Sequence, residues 1–244
     1  MESSSPFPET ADIETSSDDY AQRFSGRTGR WFIKVQEEAT LRMLLPHRGA
    51  SILDVGGGHG QIADALVRSG YRVTVLGSAD ICRARIQNLL DKDRCFFQVG
   101  NILKLPYPAG AFDIVLSYRL LSHVSRWPEL LCELSRVAKT GVMIDYPAVR
   151  SINFIAPQLF GLKRRLEGNT RPFTAFKESQ LIELFASQGF IPAGRQAQFF
   201  FPMVLHRVLK CPAISSALER TFRLTGATRV WGSPVILKFV RQAG

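Results

Sequence analysis

From Ser51 to Asp145 the chain switches repeatedly between two hydrophobic periods. Short β-branched and aromatic runs at Ser51–Val55, Arg72–Leu76, Cys95–Val99, Phe112–Ser117 and Gly141–Asp145 have the length and composition of buried strands. Between them, Gln61–Ser69, Asp80–Leu90 and Pro128–Val137 place apolar residues at helical spacing, with Ile62 and Leu66 on one face of the first. Strands alternating with helices predict a parallel sheet covered on both faces, with ligands expected beyond the carboxyl ends of the strands. Upstream, Tyr20–Leu45 reads as a helix with Trp31, Phe32, Val35, Ala39, Leu41 and Leu45 along a stripe, closed by Pro46. The alternation stops at Tyr146. A basic stretch with Lys163, Arg164, Arg165 and Arg171 follows, then a helix over Lys177–Gln188 and strands over Gly194–Phe201 and Ser233–Phe239, with a helical apolar and basic piece, Met203–Leu224, between the two strands.

A length of 244 residues suits one α/β domain with an insertion better than two domains. Met1–Tyr20 holds six acids, no base and no apolar core of a secretory signal, so residues 1–19 read as a disordered acidic leader. The four cysteines, Cys82, Cys95, Cys132 and Cys211, have neither C-x-x-C spacing nor histidines at ligand distance, which argues against zinc and against a disulfide framework. That usage suggests a reducing, cytoplasmic setting. No apolar run approaches the roughly 20 residues of a membrane-spanning helix. The net charge of +10 is unevenly placed, because residues 148–244 carry fourteen Lys or Arg against four acids. A basic second half points to an anionic partner: nucleic acid, a membrane surface or a charged substrate.

Ile52-Leu53-Asp54-Val55-Gly56-Gly57-Gly58-His59-Gly60-Gln61 carries the chemistry. A buried strand ends in an acid, and glycines open a helix; such a turn needs positive φ and close backbone approach to a ligand. It satisfies Gly56-x-Gly58-x-Gly60 after an acid, and also the dinucleotide pattern Gly58-x-Gly60-x-x-Ala63.

The first of these spacings resembles the opening motif of class I S-adenosylmethionine-dependent methyltransferases. Three later phrases resemble the same family in order: Val99-Gly100-Asn101-Ile102 with Leu105-Pro106-Tyr107, Phe112–Ser117 followed by Leu120–Val124, and Glu133–Gly141. The resemblance covers Tyr20–Arg241. It implies a Rossmann-like doubly wound sheet of seven strands, mostly parallel with an antiparallel last strand, and S-adenosylmethionine as cofactor. It also implies a lid helix over residues 20–50, on which Tyr20, Arg23 and Arg30 lie, a cofactor core over 51–147 and a substrate-facing half over 148–244. By resemblance, Gly56, Gly58 and Gly60 pass under the cofactor, Asp54 orients the turn or reaches the ammonium, Asn101 and Ile102 meet the adenine, and Ser117 and Tyr118 line the methionine end. The chain departs from the family where strand two ends, since Gly77-Ser78 replaces the acid that takes the ribose diol, leaving Ser78 or Asp80 as candidates. Asn101 replaces a common aspartate, and Thr140 a common proline.

Methyl transfer is an in-line displacement, so the protein supplies positioning, exclusion of water and a base. Of the four histidines, His123 lies just after strand four at the carboxyl edge and is the first candidate base. Tyr146, just beyond strand five, is the second. Phe199–Leu205, flanked by Arg195, Arg207 and Lys210, suggests a small lipophilic or anionic acceptor, met at an anionic membrane surface. Ser117-Tyr118-Arg119-Leu120 stands where base N-methyltransferases carry an Asn-Pro-Pro-Tyr-like tetrapeptide, which disfavours nucleic acid. The absent diol acid keeps open a non-catalytic binding protein built on the same fold.

Overall fold

The computed structural model describes residues 6–152 and 174–242. Strands β1 (Ser51–Val55), β2 (Arg72–Gly77), β3 (Cys95–Val99), β4 (Phe112–Ser117), β5 (Ala138–Tyr146), β6 (Phe190–Ala197) and β7 (Val235–Arg241) form one sheet in the order β3-β2-β1-β4-β5-β7-β6. β7 runs antiparallel to both of its neighbours, and the other pairings are parallel. This is the doubly wound, mostly parallel sheet expected from the alternation.

Alternating side chains divide the core by face. Leu53, Val55, Val115, Val142, Ile144, Leu237 and Phe239 point to one side, packed by α6 (Trp127–Val137) and α7 (Glu178–Ser187). Ile52, Val73, Val75, Ile114, Leu116, Met143 and Ile236 point to the other, under α3 (Gly26–Leu44), α4 (Ala63–Arg68) and α5 (Gln87–Leu90). Residues 80–86, expected as helix, form 3-10 turns before α5.

The N-terminal region differs most from expectation. In place of a disordered leader, α1 (Ala11–Thr15) and α2 (Asp18–Gln22) lie on the protein, with Ala11, Asp12, Thr15 and Tyr20 buried. Tyr20–Leu45 is not one helix. The chain turns at Arg23–Ser25 and enters α3 through Gly26 at φ +69°, folding back so closely that a Cβ on Gly29 would stand 2.1 Å from the Phe24 carbonyl carbon. α3 packs as an outer layer on the sheet. Its Thr40 hydroxyl hydrogen-bonds the Tyr118 hydroxyl at 3.0 Å, and Lys238 of β7 donates to Met43 O near its end at 2.7 Å.

β6 begins at Phe190, earlier than the sequence suggested, because Gly189 at φ +76° ends α7 and delivers the chain straight into the strand. Phe199–Phe201 then leave the sheet. Glu219 accepts the N–H groups of Phe200 and Phe201 at 2.7 and 3.0 Å, taking the place of a ladder partner. The helical piece after them is divided into α8 (Met203–Leu209), α9 (Pro212–Leu224) and α10 (Ala227–Trp231). Lys210 at φ +51° and Pro212 in the first turn of α9 make the first break. The basic residues Lys163, Arg164, Arg165 and Arg171 lie outside the described residues.

Candidate active site

β1 leads into the glycine turn at the carboxyl edge of the sheet. Gly56 at φ +76° and Gly60 at φ +67° bracket a 3-10 turn over Gly57–His59, a backbone path that favours glycine at both ends. Asp54 sits directly beneath, since a Cβ on Gly57 would stand 2.0 Å from its Oδ2. Asp54 is wholly buried, and neither carboxylate oxygen has a hydrogen-bond partner among the described residues. Burial, reinforced by the nearby Asp145 carboxylate, pushes its pKa up to about 7. Such an acid suits a cationic ligand, because an unpaired buried carboxylate is costly.

Arg119 organises the floor of the cleft, a role that no local sequence pattern marks. It stands immediately after β4 with φ +58°, unusual outside glycine. In this conformation its N–H donates to Asp145 Oδ1 at 2.6 Å, its Nη2 donates to Gln36 Oε1 at 2.7 Å, and its guanidinium lies 4.2 Å from the Phe24 ring centroid. His59 is buried beside this cation, and burial first and Arg119 second depress its pKa to about 3. Its Nδ1 accepts the Gln61 N–H at 3.1 Å, which fits the neutral ring.

The expected cofactor residues all come to this edge, in different roles. Ser117 Oγ donates to Val55 O at 3.2 Å, tying β4 to β1. Tyr118 points its ring away from the cleft into the layer under α3, where Thr40 holds its hydroxyl. Asn101 uses its Oδ1 to accept the Leu103 N–H at 2.9 Å and so shapes the turn that buries Ile102. Gly77 has no room for an acid, because a Cβ there would stand 2.7 Å from Cys82 Cβ. The carboxylate at the tip of β2 comes instead from Asp12, which accepts the Ser78 N–H at 2.6 Å and the Ser78 hydroxyl at 2.5 Å.

Beyond β5, Tyr146 is buried and donates its hydroxyl to Glu178 Oε2 at 2.6 Å, the same oxygen that accepts from Arg195 Nε at 2.7 Å. Burial, together with the Glu178 carboxylate, raises the Tyr146 pKa, which favours the protonated hydroxyl over a base. A cavity of about 590 Å³ opens here, with Tyr146, Phe176 and Val230 on its walls beside Arg150, Lys177 and Arg229. Those three cations form no ion pair among the described residues. His123 lies on a 3-10 turn over Leu121–His123, half-buried. The turn is tied to the cavity rim, because Thr174 N–H donates to Ser122 O at 2.9 Å two residues before Phe176.

The apolar Phe199–Leu205 run packs largely against its own aromatic neighbours. Phe199 is buried against Trp31 and Phe32, Phe200 stacks on Phe222 at 4.1 Å, and Glu219 and His206 join below them at 2.9 Å. Among the described residues no helix is long and apolar enough to cross a membrane.

A parallel sheet with an acid and three glycines at the end of its first strand, and an antiparallel strand inserted beside β5, defines the class I methyltransferase fold. Residues 53–144 match the model of the methyltransferase domain. The chain is 28% identical over 188 residues to the demethylmenaquinone methyltransferase of Symbiobacterium thermophilum, covering 65% of this chain and 75% of that protein. It is 31% identical over 128 residues to 24-methylenesterol C-methyltransferase 2 of rice, Oryza sativa, covering half of this chain and 35% of that one. Among solved structures, magnesium protoporphyrin IX methyltransferase from Synechocystis with bound S-adenosylhomocysteine superposes with a TM-score of 0.65 at 14% identity, over 92% of this chain and 94% of that one. Residues 53–144 carry a methyltransferase domain, set in a sheet of the class I fold, and its cofactor is S-adenosylmethionine. The residues present fit that group: Asp54 offers a buried carboxylate, unpaired among the described residues, to a ligand bearing an ammonium, beneath a glycine turn held at positive φ by Gly56 and Gly60.

Proposed function

We propose that the chain transfers a methyl group from S-adenosylmethionine to an oxygen or carbon of a small acceptor with an apolar body and an anionic group. The cavity beyond β5 carries this reading, because it sets Arg150, Lys177 and Arg229, without ion-pair partners among the described residues, beside the apolar walls of Phe176 and Val230. A carboxylate or phosphate satisfies the cations, and an aromatic or prenyl portion fills the remainder. The quinone and sterol substrates in the relatives' names are of the lipophilic kind. When bound, the cofactor supplies an electrophilic methyl. The protein's part is to orient the acceptor through the cavity, exclude water and take up the acceptor's proton, for which His123 is the assigned base. Tyr146 then acts as a fixed donor that, with Glu178 and Arg195, sets the shape of the wall.

The test is an acceptor screen read by S-adenosylhomocysteine formation, comparing amphipathic acids with their methyl esters or amides. Arg150→Ala and Arg229→Ala should each raise KM for an acidic acceptor about tenfold while leaving S-adenosylhomocysteine affinity unchanged. Equal turnover of acids and their neutral analogues, with KM unmoved by both substitutions, would refute the anionic acceptor.

A further inference from the structure

Residues 9–18 lie across the cofactor cleft, pinned at three places. Glu9 Oε1 accepts the N–H groups of Ser125 and Arg126 at 2.9 and 3.1 Å, just before α6. Asp12, with no solvent exposure, holds Ser78 at the tip of β2. Arg85 reaches back from the far wall, donating to Ser16 O at 3.0 Å and Ser17 O at 3.3 Å and pairing with the Asp18 carboxylate.

Between these pins the segment fills the cradle rather than roofing it. Asp12 and Ser16 stand four apart on a helical turn and so face the same way, and Ser16 Oγ donates to Asp12 O at 2.7 Å. A Cβ on Gly58 would stand 2.4 Å from Cys82 O and 2.5 Å from Ser16 Oγ, so Ser16 shares the side-chain-free face of Gly58 with the turn that follows β2. No ribose fits between surfaces that close. The polar groups that Asp12 satisfies lie at the end of β2, where a ribose diol is bound in this fold, so the carboxylate and hydroxyl of α1 stand in for sugar oxygens.

We infer that α1 is a self-ligand of the cofactor cleft: it competes with S-adenosylmethionine and leaves Gly58 and Ser78 before the cofactor binds, so the N-terminal segment gates the enzyme. Leaving means breaking the Asp12–Ser78 and Arg85 contacts, while α2 and Tyr20 remain anchored against Phe24 and the Phe32–Phe199 cluster. The apparent cofactor affinity is then the intrinsic affinity reduced by the fraction of chains with α1 out. This rests on the cofactor cleft and not on the nature of the acceptor.

The experiment uses the full chain, with Asp12→Ala and Arg85→Ala as separate variants checked by thermal melting. S-adenosylhomocysteine affinity is measured by calorimetry, and amide hydrogen exchange of residues 13–16 with and without that ligand. Each variant should bind about tenfold tighter than the parent, as expected when charged hydrogen bonds to the closed state are lost. Exchange at residues 13–16 should rise when the ligand is added. Unchanged or weaker binding in both variants, or exchange that falls on adding ligand, would overturn the gate and make α1 a clamp whose Asp12 holds the cofactor. Absence of binding by all three chains would overturn it as well, whereas the anionic-acceptor proposal fails on the KM measurements alone.

Discussion

Asp54 and His59, five residues apart across the glycine turn, should impose opposite pH dependences on folding that hide each other in the parent chain. The folded-state pKa of Asp54 is about 7 against an ordinary 3.8, so between those values the folded chain retains a proton that the unfolded chain has released. Stability from this group therefore falls as pH rises through the window, by roughly 4 kcal/mol in all. His59 goes the other way. Its folded pKa of about 3 against an ordinary 6.5 means the unfolded chain takes up a proton first on acidification, so stability falls as pH drops, by roughly 5 kcal/mol in all. Between about pH 4 and 6.5 each contributes close to one proton, or about 1.4 kcal/mol per pH unit, with opposite sign. Urea unfolding at several pH values in that range should show Asp54→Asn gaining stability as pH rises, relative to the parent. His59→Asn, whose side-chain oxygen can take over the Gln61 N–H, should lose stability as pH rises, and the double variant should return to the parental slope. Parallel pH profiles for the parent and both single variants would refute the buried, oppositely perturbed pair.

Glu219→Ala strands the Phe200 and Phe201 N–H groups and His206 in a buried site, so unfolding free energy should fall by roughly 3–5 kcal/mol, measured by urea unfolding. With an acceptor in hand, His123→Asn should lower kcat by about 10²–10⁴-fold at unchanged S-adenosylhomocysteine affinity, as loss of a general base does. Tyr146→Phe should leave kcat within about tenfold, because that hydroxyl keeps its proton; a larger loss would return the base role to it.

The sheet was legible because its signals are local. β1, β3 and β4 begin and end where their β-branched and aromatic runs do, β1 and β4 packing both faces with their own residues and β3 standing at the sheet edge with Phe96 exposed. The glycine turn was legible for the same reason, since positive φ at Gly56 and Gly60 is a property of the positions themselves. What the sequence concealed depends on distant partners. Asp12 looks like one acid among six in a polar leader, and only its meeting with Ser78, 66 residues away, gives it a buried place. Arg119 carries no local sign of its left-handed backbone. Asn101, read by resemblance as meeting the adenine, also shapes the turn two residues on through its oxygen, which no local pattern shows. The Phe199–Phe201 run had the composition of an interfacial patch, yet α3 and α9 supply aromatic partners that turn it inward.

The position of β7 also bears on how the chain is made. β5 and β6 lie on either side of it, and both leave the ribosome before it does. Until the residues from Val235 onward emerge, the nascent sheet has an open edge at β5 and an orphan strand at β6, each with a row of unpaired peptide groups. Completing the domain is thus a closing insertion rather than an addition at the rim. During synthesis the interval between Ala197 and Val235 is the one in which strand pairing with another nascent chain competes with folding.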